Sequence, residues 1–363
     1  MTILHILASG GIGGIETLCK DYATFSRNKN IVLVLWGAGC IAEEMRDQGI
    51  VVINLNSSKR DFFGMMKSVI AICKQENVET IVVHHAAPMA HILLMSIKNK
   101  YPDIRTVAYA HANAADMGRS RPKKGLWLRR YVLATSITRA DKVVAISQSV
   151  KKSLISCFFI PEEKINVIYN GINTSKFLPN EKKKISRPLE LIYVGRLIEE
   201  KGVQVTLKGL ANLSGKLDYH FKIVGDGEYR NELEQFAREL DIMDKIDFLG
   251  SRRDIAELLR GSDVFVHMPV WEEGFGITII EAMAAGLICV CADAGAIPEI
   301  IDDCKNGFLV EAGNGERLSE NIKKIQSLSD DVYMEIKRAA RAKTEKFTIE
   351  KFAERLDSLI EDL

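Results

Sequence analysis

Short apolar runs alternate with longer amphipathic stretches along most of the chain. In the first half the runs fall at 2–8, 31–35, 51–54, 80–84, 105–110 and 141–146. Near-continuous apolar runs read as strands buried on both faces, and the stretches between them read as crossover helices. A break follows at Asn170-Gly171-Ile172-Asn173, with polar residues to about 187, including Lys182-Lys183-Lys184. A second series then runs through 189–194, 219–224, 245–249, 263–267 and 287–291. Such alternation predicts parallel sheets with helices on both faces. The expected fold class is therefore α/β, with two Rossmann-like, doubly wound domains at 1–170 and 188–347 and a linker at 171–187. The tail 348–363 is an amphipathic helix, expected to join the first domain. Sheets of this kind bind ligands beyond the carboxyl ends of their strands, which points to a site in a cleft between the two domains.

Composition narrows the classes. At 363 residues two domains are the natural expectation. The seven cysteines are an odd number and include no Cys-x-x-Cys pair, which favours reduced thiols and a cytoplasmic setting over a disulfide framework or a zinc site. The first residues open on a strand with no basic segment before it, so no signal peptide is expected. No apolar run has the length of a membrane span.

The net charge of +1 hides an asymmetry. Residues 1–180 carry 23 Lys and Arg against 13 Asp and Glu, and the remainder carries 26 against 35. A basic half is suited to an anionic partner. Its densest patch is Arg119, Arg121, Lys123, Lys124, Arg129 and Arg130, with Leu126, Trp127 and Leu128 among them. Segment 119–130 could lie on an anionic membrane surface, or be a solvated helix with Trp127 turned inward. No nucleic-acid motif accompanies it.

The most informative stretch is 271–286, Trp-Glu-Glu-Gly-Phe-Gly-Ile-Thr-Ile-Ile-Glu-Ala-Met-Ala-Ala-Gly. Gly274, Phe275 and Gly276 precede an apolar helix that starts near Ile277. Glycines at a helix start bring backbone N–H groups close to an anion. Glu273 lies at the mouth of that helix and Glu281 about one and a half turns inside it. An anion site bracketed by two carboxylates suits a ligand with both phosphate and hydroxyls; the pair also invites comparison with the acid and base of a glycosidase.

Other constellations agree. Strand 2–8 runs into Gly10-Gly11-Ile12-Gly13-Gly14-Ile15-Glu16. This is either a phosphate cradle or a tight turn needing positive φ. After strand 189–194 come Arg196 and Lys201, two cations placed to clamp a diphosphate. His111 follows strand 105–110, and His84 and His85 end another strand of the same half. Gly225-Asp226-Gly227-Glu228 reads as a turn and helix cap. No metal-ligand spacing, Gly-x-Ser-x-Gly elbow or Walker A pattern is present.

Taken together, these motifs resemble the retaining GT-B glycosyltransferases of family 4. Ser147-Gln148-Ser149, Asp254, Ala296-Ile297-Pro298-Glu299 and Asn306-Gly307-Phe308 add to the likeness, which covers nearly the whole chain in order. Asn173 and Glu228 depart from the family pattern, away from the proposed catalytic positions. The resemblance implies that Arg196 and Lys201 hold a donor diphosphate and Glu281 the ribose. It implies that Glu273 holds the donor sugar, with the N–H groups of Phe275 and Gly276 nearby. His111 would touch the sugar and stabilise charge at the reacting carbon. Gly13 and Gly14 would let the first domain close on the phosphate, and the base would stack near Gly250-Ser251-Arg252. The activity so implied is metal-independent transfer of a hexose from a UDP- or GDP-linked donor, with no cofactor. The acceptor would be a glycan, plausibly lipid-linked, in surface-polysaccharide synthesis. An epimerase or phosphorylase on the same fold, or a silent glycan-binding relative, is the alternative.

Overall fold

The computed structural model describes the chain except residues 12, 38, 57, 59–60, 85–87, 115–125 and 180–183, and except the side chains at 88, 126, 127 and 129. His85 and the basic positions 119–124 therefore lie outside the described residues. Two compact units emerge, Met1–Gly171 with Ile349–Leu363, and Ile172–Thr348.

The first unit alternates β1 (Thr2–Leu7), α1 (Gly14–Phe25), β2 (Lys29–Val34), α2 (Cys40–Asp47), β3 (Val51–Asn54), α3 (Phe62–Gln75), β4 (Thr80–Val83), α4 (Pro88–Lys100), β5 (Arg105–Ala110), α5 (Leu126–Thr138), β6 (Lys142–Ala145), α6 (Gln148–Phe158) and β7 (Ile165–Val167). Among the described residues these strands form one sheet in the order β3-β2-β1-β4-β5-β6-β7, with every pairing parallel. The order reverses between β1 and β4, so the ends of these two strands leave a crevice of the kind that binds ligands. Side chains of β1, β2 and β4 are buried on both faces, which is why each strand reads as an unbroken apolar run.

The second unit contains β8 (Leu189–Val194), α7 (Val203–Ala211), β9 (Tyr219–Val224), α8 (Arg230–Glu239), β10 (Ile246–Gly250), α9 (Ile255–Arg260), β11 (Val264–His267), α10 (Ile277–Ala284), β12 (Ile288–Asp293), α11 (Ile297–Ile300), β13 (Phe308–Glu311), α12 (Gly315–Gln326) and α13 (Asp330–Thr344). Its sheet runs β10-β9-β8-β11-β12-β13 and reverses between β8 and β11. A continuous core of buried Leu, Ile, Val and aromatic side chains, including Tyr193, Phe221 and Phe308, packs against the sheet. Each such side chain contributes about 1.5–3 kcal/mol on burial.

The tail forms α14 (Ile349–Glu361), which belongs to the first unit and lies on α1. Its Phe352 ring meets the Tyr22 ring edge-on at 5.9 Å. Its buried Asp357 accepts hydrogen bonds from Tyr22 Oη at 2.6 Å, Ser26 Oγ at 2.7 Å, and Arg27 N and Asn28 Nδ2 at 3.0 Å. Two edge strands, β7 and β13, fall outside the strands expected from the apolar runs.

Candidate functional site

In the second unit the loops leaving β8 and β11 are wedged together at the switch point. Gly202 has φ of 70°, and a Cβ there would fall 1.6 Å from Met268 O. Only glycine fits so close to another backbone at positive φ. This approach sets Lys201 beside the loop 268–276. Lys201 Nζ donates to Glu273 Oε2 at 2.6 Å, and His267 Nε2 meets the same oxygen at 2.9 Å. From the other side, Ala296 N donates to Glu273 O at 2.9 Å. Gly295, with φ of 61°, passes so near that a Cβ would fall 2.2 Å from that carbonyl.

The Glu273 side chain is 13% exposed. Burial alone would raise its carboxyl, but the Lys201 ammonium and the His267 N–H outweigh burial and hold it well below the usual carboxylate range. Burial lowers His267 in turn, against the opposing pull of Glu273, so its imidazole is neutral and Nε2–H is the donor. That leaves Nδ1 of His267 as a buried lone pair with no partner among the described residues. Every described contact of Glu273's carboxylate goes to Oε2, so Oε1 retains its capacity to accept from a ligand hydroxyl.

Arg196 sits beyond the end of β8 and is exposed. Its backbone is pinned on two sides. Tyr193 Oη donates to Arg196 O at 3.0 Å, and Leu197 N donates to Asp226 O at 2.9 Å. Gly225 and Gly227 serve this packing, since a Cβ would fall 1.9 Å from Gly195 O at the first and 2.2 Å from Leu197 O at the second. The guanidinium enters no ion pair among the described residues, so it is available to an anion.

Helix α10 opens at Ile277 behind Gly276, whose φ of 97° makes the left-handed cap. Phe275 is buried, its ring 5.7 Å from that of Phe347, so the loop between the glycines is anchored. Glu281 is the fifth residue of α10 and half-buried. Arg252 is exposed and engaged by Asp254 in a two-pronged pair at 2.8 and 2.6 Å, so a base stacking there would meet a neutralised guanidinium.

In the first unit the glycine turn departs from one expectation. None of Gly10, Gly11, Gly13 and Gly14 has positive φ. Gly10 is required by packing, since a Cβ there would fall 2.7 Å from that of Ala42. A Cβ on Gly11 would meet nothing within 4 Å. Gly13 caps α1, and Gly14 is its first residue. His111 directly follows β5, and His84 directly follows β4. Their rings stack on Tyr109 at 4.4 and 5.2 Å.

Two family models divide the chain between them. Glycosyltransferase Family 4 matches residues 12–176, and Glycosyl transferases group 1 matches residues 175–343. The chain belongs to the group 1 glycosyltransferases. N-acetyl-alpha-D-glucosaminyl L-malate synthase of Bacillus anthracis is 26% identical to it, over 80% of this chain and 77% of its own. Lipopolysaccharide 1,6-galactosyltransferase of Escherichia coli strain K12 is 27% identical, over 85% and 84%. The crystal structure of Anabaena HepE in complex with UDP-glucose superposes with a TM-score of 0.86 at 23% identity, over all of both chains. The fold is accordingly GT-B.

For this glycosyltransferase, sequence reasoning missed His267. It ends β11 as His111 ends the neighbourhood of β5, so the same rule applied to the second sheet would have found it. It also missed a cluster of possible metal ligands, His5, Cys19 and His84, whose ligand atoms lie within 4.8 Å of one another. These come from three elements, and no spacing betrays them. His5 Nδ1 and His84 Nε2 are hydrogen-bonded to each other at 2.8 Å, and burial pushes the Cys19 thiol up, so the cluster does not offer a ready donor set.

Proposed function

We propose that this glycosyltransferase moves a hexose from a nucleotide-sugar to a glycan acceptor with retention of configuration. The single observation that carries the reading is the switch-point cluster of the second unit, the Lys201–Glu273–His267 group, with Arg196 beyond the end of β8 and in no ion pair among the described residues. Arg196, Lys201 and the N-terminus of α10 supply positive charge for a diphosphate, which makes a divalent metal unnecessary. Glu273 Oε1 is suited to a donor-sugar hydroxyl and Glu281 to the ribose hydroxyls, with Gly274, Phe275, Gly276 and Ile277 around the phosphate. Departure of the diphosphate is eased by fixed cations, the electrostatic help that usually contributes most. The leaving phosphate itself takes the acceptor's proton on the same face. His111 stabilises positive charge at the reacting carbon, and the turn at Gly11, Gly13 and Gly14 gives room for a phosphate.

The UDP-glucose complex of HepE favours a UDP-linked donor. The lipopolysaccharide galactosyltransferase favours an acceptor in surface-polysaccharide synthesis. A lipid-linked acceptor is supported by the face between α5 and α6. There a pocket of about 460 Å³ is lined by Arg130, Arg139, Tyr131 and Phe159, and Tyr131 and Phe159 are 64% and 84% exposed. Cations beside exposed aromatics suit an anionic bilayer surface. None of the described helices is long and apolar enough to cross a membrane. A cytoplasmic enzyme working at the inner face of the membrane fits these features.

The test is a thermal-shift screen against UDP, GDP, ADP and their sugars, followed by turnover with the donor that binds, with and without a chelator. Binding raises apparent stability by mass action. Stabilisation by one nucleotide and chelator-resistant transfer are expected. No shift with any nucleotide refutes the reading. Vesicles containing anionic lipid should bind the protein at low salt and release it at high salt.

A further inference from the structure

Glu273 Oε2 is held by two donors of different kinds. Lys201 Nζ lies 2.6 Å away and His267 Nε2 lies 2.9 Å away. The ammonium ends a long flexible stem, so it supplies charge and little direction. The imidazole does the reverse. His267 ends β11, which pairs with β8 on one side and β12 on the other. Its ring stacks on those of Tyr193 at 5.9 Å and Phe265 at 6.2 Å, and its side chain is 3% exposed. A ring so enclosed cannot turn without displacing its neighbours. The Tyr193 ring that backs it also carries the hydroxyl that donates to Arg196 O at 3.0 Å. Titratable groups around His267 are Glu273 and Lys201, with the Tyr193 hydroxyl and the Cys291 thiol, both kept neutral by burial.

The partner decides where the imidazole proton sits. A carboxylate oxygen only accepts, and Glu273 is held ionised, so His267 donates from Nε2. Nδ1 has no hydrogen-bond partner among the described residues, so the bond to Glu273 is the ring's one polar tie there. With Oε2 tied to a rigid donor, Oε1 is confined to a narrow arc. An ionised acceptor aimed in this way reads one hydroxyl, whereas a loose one turns to a neighbouring hydroxyl or to water.

We propose that His267 is the positioning residue that aims Glu273 Oε1, and that this aim decides which single hydroxyl of the donor sugar is read. Lys201 supplies the charge for that contact and His267 its direction. The inference rests on the reading of Glu273 as the holder of the donor sugar; the bond between His267 and Glu273 does not.

The test measures transfer from the nucleotide-sugar that the wild type accepts and from its monodeoxy analogues, each lacking one hydroxyl of the sugar. One analogue is expected to lose at least about tenfold in kcat/KM in the wild type, because a charged acceptor is left unmatched. His267→Leu should bring that penalty below about threefold while the other analogues keep theirs. His267→Gln carries an amide NH₂ to the place of Nε2 and should restore the penalty; the amide of His267→Asn falls short and should not. Lys201→Ala should slow transfer from every donor and keep the same analogue the poorest. Circular dichroism shows which variants fold, and if His267→Leu does not, the Gln and Asn variants make the comparison. An undiminished penalty on removing the Nε2 donor, or a wild type indifferent to every deoxygenation, overturns the proposal. Spectra of the full chain labelled with ¹⁵N at histidine read the link without any donor, and His267 protonated on Nδ1 overturns it too. Nε2 protonation with no transfer from any nucleotide-sugar would instead count against the transfer proposed above and leave the hold of His267 on Glu273 standing.

Discussion

Lys201 and Glu273 are 72 residues apart in the chain and 2.6 Å apart in space. Their pairing turns a half-enclosed carboxylate into a fixed anion with one oxygen committed and one to spare. Lys201→Ala strips away the cation and leaves His267 as the carboxylate's one partner among the described residues. Loss of one fixed electrostatic group costs about 10²–10³ in turnover. Initial rates with the binding nucleotide-sugar should show that loss while the circular dichroism spectrum stays native; an unaltered rate would remove Lys201 from the machinery.

Glu273 carries a signature in acid. Its folded carboxyl lies below the ordinary 4.5, so its contribution to stability is complete above about pH 4.5 and drains away as pH falls below that value. The gap in melting temperature between wild type and Glu273→Gln should be constant above about pH 5 and narrow below about pH 4. A gap that widens in acid contradicts the assignment.

His5 acts in the adjoining, milder acid range. Burial lowers it from 6.5 to about 4, against the hydrogen bond that His5 Nε2 donates to Asn30 Oδ1, so the folded chain refuses a proton that the unfolded chain accepts. Stability from this group alone should fall by about 3 kcal/mol between pH 6.5 and 4, at about 1.36 kcal/mol per unit. Denaturant titrations across that range should give a shallower slope for His5→Gln than for wild type.

Glycines give a pair of contrasting outcomes. Gly202→Ala forces a Cβ onto Met268 O at positive φ, so both the fold around Lys201 and the activity should suffer. Gly11→Ala places its methyl in open space without positive φ, so melting should stay within a degree or so of wild type. If the turn gives way to a donor phosphate, that same variant raises the donor KM; an unchanged KM would mean the turn is not part of the donor site.

Asp357 gathers four donors from α1 and the turn after it. Asp357→Ala leaves Tyr22 Oη and its neighbours without their acceptor in a buried setting. Hydrogen bonds to a charged acceptor are worth about 1.5–3 kcal/mol each, so a loss of about 3 kcal/mol or more is expected in chemical denaturation. A loss under about 1 kcal/mol would show that α14 is held by its apolar face instead.

Much of the architecture is legible because parallel strands buried on both faces leave unbroken apolar runs, as in β1 and β8. The tail helix was legible too, from its amphipathic spacing. β7 and β13 escaped because they are edge strands that bury only one and two side chains, and so leave no unbroken apolar run. Glu273, Arg196 and Lys201 stand out in the sequence because glycines and strand ends flag them; their role is the proposal made above. Their grouping around one carboxylate oxygen does not stand out, since Gly202 and Gly295 act through contacts distant in sequence. His5 shows the limit most plainly: in an apolar strand it looks like a stray polar residue, and only the fold supplies Asn30 and His84. At Gly10 the sequence suggested phosphate or positive φ, and the structure adds a third cause, the close pass of Ala42.

The chain passes from the first unit to the second after Gly171 and returns after Thr348, and Ile172 N donates to Phe347 O at 2.9 Å where the two passages meet. The second unit is thus one uninterrupted stretch of chain, whereas the first waits for α14, which lies beyond the whole of the second unit in the chain. On a translating ribosome the later-encoded unit is the earlier to be completed, since domains fold as their chain emerges. Until α14 has emerged, the α1 surface that it covers stays bare, and Tyr22 Oη lacks Asp357 as its acceptor. Loss of α14 would therefore damage the unit encoded first rather than the one it directly follows in the chain.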